Sequence, residues 1–129
     1  SANVGYPMTC DTTLESFGVT MNSSSIIIQN TGVYNVQFST QFVGAHTANI
    51  EIWMKKNGTN VPWTNTKIGT DNQSSNYLAA WNFVQTFNAN DVVQLFWATT
   101  NTSVIIQSTA SPANAGPQIP GVIITVTEV

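Results

Sequence analysis

The sequence predicts an all-β fold, a sandwich or jelly roll of roughly eight to ten short strands. Three observations point there. Apolar and polar residues alternate with period two through most of the chain, with β-branched and aromatic side chains in the apolar positions. Clusters of Asn, Gly, Ser and Thr interrupt those runs at close intervals. No stretch combines a helix cap with apolar residues at 3.6-residue spacing.

Taken in order, a strand at 25–29 meets a second at 33–43 across Asn30-Thr31-Gly32. In the second, Tyr34, Val36, Phe38 and Phe42 fall on one face and Asn35, Gln37, Ser39 and Gln41 on the other, so the first set is expected in the core. The strand at 48–56 turns Ile50, Ile52 and Met54 inward and Glu51, Trp53 and Lys55 outward, and it ends at Asn57-Gly58, a strong hairpin signal. The segment 61–68 reads as a short return strand, placed at an edge by Pro62. After a polar loop at 69–76 come strands at 77–87 and 92–99, joined by a turn at 88–91. A brief strand at 104–107, a Pro/Gly/Ala loop at 109–117 and a terminal strand at 119–129 complete the chain. Residues 1–129 are expected to form one domain, with about the first thirteen as an extended arm.

Two strands break the alternation. Tyr77, Trp81, Phe83 and Phe87 share one face of 77–87, while Leu78, Ala80 and Val84 share the other. In the terminal strand Ile119 and Ile123 lie opposite Val122, Ile124 and Val126. A strand that is apolar on both faces is covered on both faces, whether by loops or by another subunit. The subunit reading is favoured because both strands show the pattern. It makes Leu78, Ala80, Val84, Val122, Ile124 and Val126 the expected interface of an oligomer.

Charge narrows the function classes. Charged residues are 7% of the chain, the net charge is −3, and Lys55, Lys56 and Lys67 are the only cations, with no arginine. Asn, Thr, Ser and Gln fill about two-fifths of the positions instead. No basic stripe is present to displace counterions from nucleic acid, and no apolar run is long enough for a membrane-spanning helix. Residues 1–9 lack the basic and apolar regions of a signal peptide. Cys10 is the only cysteine, so no internal disulfide forms.

Catalytic groups are sparse. His46 is the single histidine, which with one cysteine excludes the usual zinc ligand sets, and it reads as an exposed turn residue. Asp11, Glu15, Glu51, Asp71, Asp91 and Glu128 are scattered singly, whereas a glycosidase brings two carboxylates within about 5–10 Å. No Asp-x-Asp-x-Asp spacing collects oxygens for calcium. Neither catalytic, metal nor cofactor residues are assigned, and no enzyme activity is expected. Trp53, directed away from the core, and Trp63, beside the hairpin, are the candidate recognition residues: a flat apolar ring suits a sugar or a protein partner.

Several segments resemble, in order, the trimeric jelly rolls of the tumour necrosis factor and complement globular-head superfamily. Gly32-Val33-Tyr34-Asn35-Val36 resembles that family's Gly-x-Tyr-x-Phe strand, Lys56-Asn57-Gly58 its hairpin, and Asn90-Asp91-Val92-Val93-Gln94-Leu95 its Gly-Asp-x-Val-x-Leu strand opening. Ile119-Pro120-Gly121-Val122-Ile123 resembles its final strand, Phe-x-Gly-x-Leu. Asn90 stands where the family has glycine, a position that suggests positive φ. A closer similarity is to C-terminal domains of virion proteins from tailed bacteriophages, especially those of marine bacteria. It lies in Tyr6-Pro7-Met8, Asp11-Thr12-Thr13, IWMKKNGTNVPWTNT at 52–66, YLAAWNFVQTFNANDVVQLFW at 77–97 and IPGVIITVTEV at 119–129.

This resemblance implies a homotrimer on the outer surface of a virion, made in the host cytoplasm and contacting other virion proteins as a capsid decoration or as part of a head or tail fibre. Alternatives are a fibre-tip domain that binds a host receptor or glycan, and a bacterial spore or surface-layer jelly-roll protein.

Overall fold

In a computed structural model of the chain, the described residues are all except 11, 14–15, 45, 72–74 and 110–114. They form eleven strands and no helix: β1 (Tyr6–Pro7), β2 (Val19–Asn22), β3 (Ser25–Ile28), β4 (Gly32–Gly44), β5 (Ala48–Lys56), β6 (Thr59–Asn60), β7 (Thr66–Thr70), β8 (Ser75–Phe87), β9 (Val92–Thr99), β10 (Ile105–Ile106) and β11 (Val122–Glu128). Every pairing is antiparallel. One sheet of seven strands runs β2-β3-β9-β5-β6, with β1 also on β9 and β7 also on β5. The other, of four strands, is centred on β4. Along its whole length β4 pairs with β8, from Gly32 opposite Phe87 to Gly44 opposite Ser75. Its other edge takes β11 opposite 34–40 and β10 opposite Phe42 and Val43.

The alternation seen in the sequence decides which side of each strand is dry. Tyr34, Val36, Phe38 and Phe42 of β4 and Phe83 and Phe87 of β8 face Ile26, Ile28, Ile50, Ile52, Met54, Val93 and Leu95 of the other sheet in one core. The rings of Phe42 and Trp97, from opposite sheets, stand 5.5 Å apart. Thr40 is fully buried in the same row, and its hydroxyl donates to the Met8 thioether at 3.6 Å.

That contact shows where the first residues go. The arm is stitched along β9: Asn3 N–H donates to the Thr99 carbonyl at 2.8 Å and Met8 N–H to the Leu95 carbonyl at 2.7 Å, with the Met8 side chain in the core. Gly5 is required on this path. A Cβ there would stand 2.9 Å from the Trp53 ring.

Two turns behave as their sequences demand. Asn57 and Gly58 have φ of 52° and 82°, the paired left-handed geometry of a two-residue hairpin loop between Lys56 and Thr59. Asn90 has φ of 72°, the conformation expected of a residue standing where glycine is usual.

Elsewhere the strand boundaries differ from expectation. The return strand read at 61–68 is strand only from Thr66, because after β6 the chain leaves the sheet at Val61, turns through Pro62 and Trp63, and rejoins it as β7. Gly69, Thr70, Ser75 and Asn76, expected in a loop, belong to β7 and β8. The terminal strand starts at Val122, and Ile119 contributes only an isolated bridge to Thr109. Most of the Pro/Gly/Ala loop lies outside the described residues.

Candidate functional site

The six residues expected at one interface occupy two different faces. On β8, Leu78, Ala80 and Val84 point away from the core and are exposed, Leu78 at 65% and Val84 at 60%. On β11, Ile124 stands opposite Phe38 and Val126 opposite Val36, so these two share the core-facing side with Val122. All three β11 residues are half-buried against the core. The apolar residue that β11 presents beside Leu78, Ala80 and Val84 is Ile123, which is 50% exposed and opposite Ser39. The outer face of the four-stranded sheet thus carries Leu78, Ala80, Val84 and Ile123 set among Asn35, Gln37, Ser39, Gln41 and Asn82. Val122, Ile124 and Val126 instead line a groove between β11 and the opposing β2 and β3, together with Val19, Met21 and Ile26.

The two candidate tryptophans also part. Trp53 does point outward, but it is half-buried under Gly5 and packs against Phe96 with ring centroids 6.0 Å apart. Its Nε1–H donates to Asn60 Oδ1 at 2.9 Å. Lys55 completes this layer with Nζ 4.4 Å from the Phe96 ring centre.

Trp63 is fully exposed. It follows Pro62 and has φ of 65°, the sequence position and sign of the third residue of a type II turn, where glycine or asparagine is normal. A bulky residue there is strained by about 1–2 kcal/mol. The base of the turn holds it in place. Val61 N–H donates to the Met54 carbonyl at 2.9 Å, Met54 N–H donates to the Thr64 hydroxyl at 3.0 Å, and that hydroxyl donates to the Val61 carbonyl at 2.8 Å. Thr64 is buried, so both backbone groups of Met54 serve to fix a turn whose tip is an unsupported indole. Sequence reasoning singled out Trp63 but missed the turn; Pro62 was the available signal, and the positive φ of the residue after it is visible only in the structure.

Among the described residues the acidic groups and His46 do not gather into a metal-ligand cluster. Asp71 and Asp91 lie beyond opposite ends of β8, whose thirteen residues extend roughly 40 Å. The Asp71 carboxylate accepts a hydrogen bond from the Tyr77 hydroxyl at 3.0 Å. Asp91 is buried at a turn, where Asn57 Nδ2–H at 2.9 Å and Asn88 N–H at 2.8 Å donate to its two oxygens. These bonds, the Asn57 one first, hold its carboxyl below the usual range. His46 is exposed, and its backbone carbonyl accepts from the Thr70 hydroxyl at 2.8 Å. Among the described residues no three His, Cys, Asp or Glu side chains gather as metal ligands, and no helix is long and apolar enough to cross a membrane. Asp11 and Glu15 lie outside the described residues. No protein-family model matches the chain, and no curated protein is significantly similar to it.

Proposed function

We propose that the chain is a structural domain on the exterior of a tailed-bacteriophage particle, a jelly roll that assembles as a homotrimer and contacts other virion proteins. The pairings support the jelly roll. Strands β3, β4 and β5 pair with β9, β8 and β7 in nested order, the pattern left when one long antiparallel ribbon folds over on itself. The resemblance of its ordered segments to phage virion domains supports the particle, and the near absence of charge suits a packing unit better than a nucleic-acid or membrane binder.

One observation carries the self-association: Leu78, Ala80, Val84 and Ile123 stand exposed together on the outer face of a sheet only three strands wide. A threefold ring joins unlike surfaces of neighbouring copies, so it is able to cover both this face and the groove beside Val122, Ile124 and Val126.

Sedimentation tests this. The protein is expected at three times its 13.9 kDa chain mass, and Val84→Asp, which places a charge on the exposed face, is expected to reduce it to the monomer with fold stability changed by less than about 1 kcal/mol. A parent protein that stays monomeric at high concentration rules out the trimer. Addition of the purified domain to particles lacking it then distinguishes a capsid or tail component from a free-standing protein. A second reading, recognition at a fibre tip, is favoured by the turn that carries Trp63.

A further inference from the structure

We propose that the turn at 61–65 is a binding site for a neutral saccharide, with the Trp63 indole as its stacking surface. The proposal does not depend on the trimer. It starts from the strain. A fully exposed tryptophan at φ of 65° gives up backbone energy without recovering it by burial, and the clamp on Met54 keeps it there. Glycine or asparagine would satisfy the turn better, so the fold alone does not explain the indole.

The side chains flanking the turn indicate the chemistry. Asn60 is held by Trp53 through its Oδ1, which leaves its Nδ2 as the donor end of the amide. Asn65 is held through its Nδ2, which donates to Glu51 Oε1 at 2.8 Å and leaves its Oδ1 as an acceptor. One amide donor and one amide acceptor, each with its other end held on the sheet, thus stand in the sequence on either side of the exposed indole. A pyranose has the matching parts, a C–H face to lie on the indole and hydroxyls that both give and accept hydrogen bonds. Of the nearby charges, Glu51 and Lys67 sit directly opposite each other in the β5–β7 register, and Lys55, opposite Asn60, lies over the Phe96 ring, so each has a partner on the sheet, which suits an uncharged ligand. A protein partner would need a broader apolar surface than this turn gives, since Asn60 and Asn65 are exposed polar residues on either side.

The test uses the intact protein against immobilised dextran, yeast mannan, a β-1,4-galactan and chitin oligomers, read by retention and by tryptophan emission. Retention on at least one, with a blue shift of the emission, is expected for the parent. Trp63→Ala is expected to weaken it by about tenfold or more, and Trp63→Phe by less. Trp63→Gly separates binding from folding: it removes the ring while relieving the turn, so affinity is expected to fall equally and the melting temperature not to fall. Three results overturn the proposal: no retention of the parent on any of the four, retention that Trp63→Ala leaves unchanged, or dissociation of the assembled protein by Trp63→Ala, which would make the indole a contact between copies.

Discussion

Phe42→Ala is expected to lower the unfolding free energy by about 3–5 kcal/mol, measured by urea denaturation, against a total of about 5–15 kcal/mol for a domain of this kind. Phe42 is completely buried, lies on the one strand that holds the four-stranded sheet together, and reaches across to Trp97 of the other sheet. Its neighbours in the ladder come from β8 on one side and β10 on the other, opposite Tyr77 and Ile106. Truncation therefore opens a void bordered by three strands and the facing sheet, and a framework fixed by that many hydrogen bonds cannot close over it. Val33→Ala on the same strand is the control. Val33 is 40% exposed on the outer face, and its loss is expected to cost well under 1 kcal/mol. Equal costs at the two positions would mean that the core is not where the alternation of β4 puts it.

How much of this was legible beforehand depends on strand length. β4, β5, β8 and β9 contain eight to thirteen residues, long enough for period two to separate a wet face from a dry one, and the core rows of β4 and β5 match the expected residues. β1 and β2 were not legible. The first is two residues that count as strand only because β9 lies alongside, and the second shows only Val19 and Met21 as a pattern.

The face of β11 is the instructive failure. Alternation correctly separates Val122, Ile124 and Val126 from Ile123, but when both sets are apolar it does not tell which set turns inward. That sign comes from the register with β4, a long-range fact absent from local sequence. In β8 the same ambiguity resolved as expected, because the three aromatic residues at Tyr77, Phe83 and Phe87 outweigh Leu78, Ala80 and Val84. The fourth, Trp81, is core-phased yet 54% exposed, since β8 is an edge strand. The Trp63 turn failed for a related reason. Pro62 signalled an interruption, but only the hydrogen bonds to Met54 show that the interruption is built and held.

Asp91 joins three parts of the fold, and its removal is expected to be nearly as damaging as the loss of Phe42. Its carboxylate takes hydrogen bonds from Asn57 in the β5–β6 hairpin and from Asn88 in the β8–β9 turn. Its backbone carbonyl accepts from Ile28 N–H at 3.0 Å, at the end of β3. Asn57 returns the link, since its Oδ1 accepts from Val92 N–H at 2.8 Å. Asp91→Ala leaves both donors to the carboxylate without their partner in a buried turn, at an expected cost of about 2–4 kcal/mol. Asp91→Asn keeps the shape but loses the charge and turns an N–H₂ toward one donor, so a cost of about 1–2 kcal/mol is expected.

The same geometry fixes the response to acid. Because the folded carboxyl is held below its ordinary value, chiefly by Asn57 and then by Asn88, the unfolded chain binds the proton more readily than the folded one. The stabilisation is therefore fully present above the ordinary aspartate value of about 4 and is lost as pH falls through the lower folded value. Denaturation curves at pH 7 and pH 3 are expected to show the parent losing more stability over that interval than Asp91→Asn, which has no proton to take up at this turn. If both lose the same amount, the link between hairpin and turn does not depend on the charge of Asp91.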